Sequence, residues 1–195
     1  MWWVELLNSI VALLNGGAGG GGGAYESIAT ATGNGSAQTL TLSSIPSTYS
    51  HLQVRGIVRN NRNNPSFPFG NLSIYFNGTE GTNSGHRIYG DGSSVIADGF
   101  TGNSGITIGY STTDAQTSNI MTAFIIDIHN YTSTSQNKTV RSVIGSDLNG
   151  TGRLELSSGL YLPTPSAITS ITFANYNSAA FTTSSVFSLY GIKGA

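Results

Sequence analysis

The sequence predicts an all-β chain, an antiparallel β-sandwich of jelly-roll type, preceded by a short apolar helix and a glycine-rich linker. Three observations carry that expectation. Charged residues make up 9% of the 195 residues, against roughly 25% in an ordinary globular domain. Hydrophobic content stays at 38%, so Gly, Ser, Thr and Asn have replaced the charge, which suits strands and tight turns better than surface helices. From Ala24 onward, short runs rich in β-branched and aromatic residues alternate with turn signals, and no helical apolar period recurs after Asn15.

The opening stretch, MWWVELLNSIVALLN, is the exception. Trp3, Leu6, Ile10 and Leu13 follow one 3-4-3 spacing, and Val4, Leu7, Val11 and Leu14 follow another. Two adjacent seams make a helix that is apolar around most of its circumference. Asn15-Gly16 is a helix stop. The run is shorter than the roughly 20 residues of a membrane span. It also lacks the basic flank of a secretory signal and carries Glu5. The expectation is therefore a docking helix over residues 1–15, not a membrane insertion. Trp2, Trp3, Leu6, Leu7, Ile10, Leu13 and Leu14 supply its grip, and residues 16–23 are a flexible tether.

Residues 24–195 carry the sandwich. Candidate strands are Ser27–Thr32, Ala37–Ser43, His51–Arg59, Leu72–Phe76, His86–Tyr89, Gly105–Gly109, Asn119–His129, Lys138–Gly145, Arg153–Ser157, Ala167–Ala174 and Ser184–Gly191. Asn77-Gly78, Asp91-Gly92 and Asn149-Gly150 favour the positive φ of tight turns. In HLQVRGIVR, Leu52, Val54 and Val58 share one face, and Gln53, Arg55 and Arg59 take the other. NIMTAFIIDIHNY is denser and predicts a central strand covered on both faces. Tyr49, beside Pro46, is placed to pin a corner.

Chemistry-bearing groups are sparse. With no cysteine there is no disulfide or thiolate metal site. His51, His86 and His129 do not converge with carboxylates at metal or triad spacing, so no catalytic, metal or cofactor site is expected. Asp127, inside an apolar run, calls for a cation, with Arg55, Arg87 and Arg141 available. GAGGGGG follows no strand and lacks the Lys-Ser/Thr ending of a phosphate loop. Net charge is −1, with 8 Lys and Arg scattered along the chain, which argues against nucleic acid. Aromatics beside Asn and Ser suit sugar surfaces, and Phe67, Phe69, Tyr110, Tyr131, Tyr161 and Tyr176 are the candidate glycan contacts.

The segments AYESIATAT, SSIPSTYSHLQVRGIVR, IYFNG, HRIYGDGSS, FIIDIHNYTSTSQNKTVRSVIG, SSGLYLPTPSAITSITF and FSLYGIKG resemble a family of tailed-bacteriophage virion proteins, frequent in cyanophages and other aquatic phages. The resemblance spans Ala24–Gly194 and is most distinctive in KTVRS and SLYGIKG. It implies a non-enzymatic structural protein of the virion, a β-sandwich that forms a homotrimer, and it brings no catalytic residues. The shortage of charge also points to a surface partly buried in an assembly. The leading expectation is a short tail fibre or baseplate-associated protein, docked to another virion protein through residues 1–15 and touching host surface glycan. A trimeric capsid decoration (cement) protein is the alternative, and a free carbohydrate-binding module is a second.

Overall fold

A computed structural model describes residues 23–81, 83–175 and 178–194. The proposed anchor residues Trp2, Trp3, Leu6, Leu7, Ile10, Leu13 and Leu14, the tether up to residue 22, and Tyr176 lie outside the described residues. No helix among the described residues is long and apolar enough to cross a membrane.

The described chain is all β. Its twelve strands are β1 (Tyr25–Thr32), β2 (Thr39–Leu42), β3 (His51–Asn60), β4 (Phe69–Phe76), β5 (Asn83–Gly90), β6 (Val95–Asn103), β7 (Ile106–Thr113), β8 (Thr122–His129), β9 (Lys138–Asp147), β10 (Gly152–Tyr161), β11 (Ile171–Asn175) and β12 (Val186–Ile192). They join in one sheet of order β2-β11-β4-β7-β3-β8-β9-β10-β5-β6, and β12 also pairs with β3 and carries β1 on its far side. The sheet is mixed rather than purely antiparallel. The end of β3 pairs in parallel with β7, through Arg59–Thr112 and Asn60–Thr113. That two-residue bridge connects the limb β2-β11-β4-β7 to the longer limb containing β8 to β10.

β7 also lies over β9 and β10 without pairing to either. Ser142 Oγ donates to the Ile108 carbonyl at 2.6 Å. A Cβ on Gly109 would collide with Ile144, and one on Gly159 with Ile106. Gly109 further sits at φ +135°, where an L side chain is strained. Apolar side chains fill the space between: Leu52, Val54 and Val58 of β3 and Phe124, Ile126 and Ile128 of β8 on one side, Leu72, Ile74 and Phe76 of β4 on the other. Phe187 sits at the centre, with ring centroids 4.6 Å from Phe173, 5.1 Å from Phe124 and 5.2 Å from Phe181. Each such burial contributes about 1.5–3 kcal/mol.

Two expectations need correction. β8 is covered on one face only: Phe124, Ile126 and Ile128 point inward, and Ile125 is exposed. Its density of apolar residues arises because Ala123 and Ile125 on the outer face add to the inward Phe124, Ile126 and Ile128, not because this chain covers both faces. The corner near Pro46 is pinned by Tyr131, whose buried hydroxyl donates to the Pro46 carbonyl and accepts the Tyr49 amide at 3.4 Å. Tyr49 instead donates to Glu26 Oε2 at 3.0 Å.

Candidate functional site

β5 and β10 are neighbours, and their alternation places Arg87 and Tyr89 on the same face as Arg153, Glu155 and Ser157. Tyr89 lies directly opposite Glu155, and Arg87 opposite both Ser157 and Asp98 of β6. The Glu155 side chain is fully buried. It accepts from Arg153 Nε at 3.0 Å and from Ser157 Oγ at 3.1 Å, with Arg87 Nη1 3.8 Å away. Arg87 also makes a two-pronged pair with Asp98, at 2.6 and 2.9 Å. That hydrogen bond raises the Arg87 pKa against the opposing effect of burial, and the same bond lowers that of Asp98.

The two guanidinium groups stack on two tyrosines. Arg153 Cζ lies 3.6 Å from the Tyr89 ring centre and 4.1 Å from that of Tyr110. Arg87 Cζ is 5.2 Å from both. Cation–π contacts of this kind contribute from about 0.5 to 2 kcal/mol each, the larger values when water is excluded. Phe69 joins Tyr89 and Arg153 along a pocket of about 190 Å³. Arg153 Nη2 is buried and has no hydrogen-bond partner. The arrangement is a rigid arginine–aromatic cluster with nearly balanced charge. It offers stacking faces and one unused donor.

The structure therefore brings Phe69 and Tyr110 together. Phe67 stands apart as an exposed ring beneath Arg62, whose Cζ is 4.2 Å from the ring centre. Tyr131 and Tyr161 are buried and offer no ligand surface. Tyr131 holds the Pro46 corner. Tyr161 packs edge-on against Phe76 at 5.2 Å and donates to the Phe76 carbonyl, because a strand end closing the core needs an apolar body with a satisfied tip. Sequence reasoning missed Tyr89, Arg153 and Glu155, and offered Arg87 as a cation for Asp127, whose partner is Arg141. Their signal was present as charged and aromatic residues at i and i+2 in HRIYG and RLEL.

Other groups are structural. Asp127 pairs with Arg141 at 3.0 Å and accepts from Gln53 Nε2 at 2.6 Å. Burial pushes its carboxyl upward, but the Gln53 and Arg141 bonds outweigh this and its pKa falls below the usual value. The His51 and His129 rings meet edge-on at 4.9 Å, and His51 Nδ1 accepts the Asn130 amide. Among the described residues no group of three or more His, Asp or Glu side chains could hold a metal ion. A cleft of about 480 Å³ between the Asp91 and Asp147 turns has its acids occupied. Asp91 accepts the Ser93 and Ser94 amides, and Asp147 that of Asn149.

The outer face of the long limb is unlike the rest of the surface. One row of directly paired residues runs Ile125, Val143, Leu156, Ile88 and Ala97 across β8, β9, β10, β5 and β6. The next runs Ile57, Ala123, Gly145, Leu154, Gly90 and Val95. Their seven large aliphatic side chains are between 40 and 71% exposed. No protein-family model matches this chain, and no curated protein or solved structure matches it either.

Proposed function

We propose that this chain is a non-enzymatic structural subunit of a tailed-phage virion: a jelly-roll-like β-sandwich that assembles as a homotrimer. In this reading residues 1–15 dock it to another virion protein, as a short tail fibre or baseplate-associated component facing host glycan. The two aliphatic rows on the outer face carry the reading. Monomeric soluble proteins rarely leave a contiguous apolar patch larger than a few hundred Å² open to water. Six neighbouring strands, at about 4.8 Å each, make this one roughly 24 Å wide. Its breadth suits the face of about 800 Å² that a standard interface covers on each partner. The packing of β7 over β9 and β10 supports the two-layered sandwich, and the shortage of charge supports burial between copies.

Light scattering of the full chain tests the assembly. The expected mass is three times the 20.3 kDa subunit, and a monomeric mass at micromolar concentration would contradict it. Deleting residues 1–23 tests the anchor: the expected product is a folded, soluble trimer that no longer joins the particle. A truncated chain that still assembles into particles removes the anchor from the account. A capsid cement trimer would bury the same face, and copy number per virion separates the two, low for a tail component and high for cement.

A further inference from the structure

Asn71, Ser73 and Tyr75 alternate along β4 with Leu72, Ile74 and Phe76. The latter three enter the core, so the former three leave the opposite, outer face. The turn between β6 and β7 brings Asn103, Ser104 and Gly105 beside them, and together they border a cleft of about 400 Å³. That lies within the range of about 300–1,000 Å³ typical of ligand clefts. Its lining among the described residues is uncharged.

Asn175, which also lines the cleft, accepts from Ser111 Oγ and donates to the Ala179 carbonyl, but the other polar side chains here are unspent. Asn71 Oδ1 is buried and has no hydrogen-bond partner. The side chains of Ser73, Tyr75, Asn103 and Ser104 make no hydrogen bond to any described residue. Asn83 Oδ1 is likewise unpartnered, whereas two turn asparagines are tied down locally. Asn34 Oδ1 accepts the Ser36 and Ala37 amides, and Asn77 Oδ1 those of Thr169 and Ser170. The Tyr75 ring rests against Gly105, where a Cβ would come within 2.6 Å of Tyr75 Cζ. Glycine at this position lets the turn close on the ring and fixes the ring beside the cleft.

We propose that this cleft binds a neutral saccharide, with Tyr75 as the stacking face and Asn71, Asn103 and the serine hydroxyls bonding to sugar hydroxyls. A buried acceptor left unpaired is costly, and a ligand hydroxyl removes that cost. No lysine or arginine lines the cleft to take an anion, and its amide- and hydroxyl-rich wall disfavours a lipid. The proposal rests on the glycan-facing part of the reading above, not on its trimeric assembly, and it places the contact away from the exposed Phe67.

The test is an array of neutral oligosaccharides (hexoses, N-acetylhexosamines and deoxyhexoses) beside sialylated and uronate-bearing ones, probed with the full chain. The strongest neutral binder is then titrated against wild type, Tyr75→Ala, Ser73→Trp and Phe67→Ala, each checked for a native circular dichroism spectrum. Tyr75→Ala and Ser73→Trp are expected to weaken binding about tenfold or more, and Phe67→Ala to leave it unchanged. In wild type the amide resonances of Asn71, Ser73 and Tyr75 should shift on titration, a readout that needs no variant. A blank neutral array, binding confined to acidic glycans, or binding that leaves those resonances still would overturn the proposal. A monomeric mass would sink the assembly reading and leave this result untouched.

Discussion

At Glu155 a fully buried carboxylate faces Arg153 at 3.0 Å and Arg87 at 3.8 Å, and both guanidinium groups lie against Tyr89 and Tyr110. Glu155→Ala would leave two cations packed against aromatic rings without their shared counter-charge. Breaking a buried pair in this way costs about 3–5 kcal/mol, and chemical denaturation should show a loss of that size. Asp98→Ala removes a partly exposed partner from the same network and should cost about 1 kcal/mol or less. The acid limb follows from the directions of the carboxylate shifts. Asp98 and Asp127 both have folded pKa values below their ordinary 3.8. Each therefore adds stability that is fully present above the unfolded value and lost as pH falls through the folded one. The thermal midpoint should drop as pH falls from about 5 to below about 3, and by less in an Asp98→Asn, Asp127→Asn double variant. An equal drop in that variant would show that other groups govern acid unfolding.

At the scale of the element, strands that feed the core were legible and those that do not were hidden. β4 and β9 show period-two burial because one face meets the core, and their sequences alternate accordingly. β6 was missed. Nearly every residue of it is exposed, and its VIADGFTGN sequence contains Asp98-Gly99 and Gly102-Asn103, which read as turns. What makes it a strand is its backbone ladder to β5, reinforced by Arg87 and Asp98, and neither leaves an apolar pattern in the sequence. Arg59 was misread for a related reason. Alternation sends it outward from β3, yet it is buried. Its guanidinium donates to Asp114 Oδ1 at 2.8 Å and to the Gln116, Thr117 and Ile120 carbonyls at 2.9–3.0 Å. One planar fork thus orders the 114–120 loop. Lysine cannot reproduce that geometry, so Arg59→Lys should cost about 2–4 kcal/mol, at roughly one per lost bond. It should also speed amide exchange in the loop selectively. Uniform exchange across the chain would mean that Arg59 holds the core rather than the loop.

At the scale of the whole molecule the two outer faces differ in kind. The short limb presents Thr41 bonded to Thr172, Ser73, Tyr75 and Asn71, while the long limb presents isoleucine, valine and leucine across six strands. The sequence expectation that this strand is covered on both faces was drawn from NIMTAFIIDIHNY. The core covers one face, and the proposed trimer supplies the missing cover for the other. The arginine–aromatic cluster was only half legible, because its members come from β4, β5, β7 and β10, and only pairing register brings them together. The central claim is that the long limb's outer face is buried between copies. Hydroxyl-radical footprinting of the full chain reads this directly at Ile88, Ile125, Val143 and Leu156. The account predicts that these four side chains are protected in wild type and become labelled in a Val143→Glu variant that disperses to monomers. Labelling of all four in wild type, at the rate seen in that variant, would contradict it.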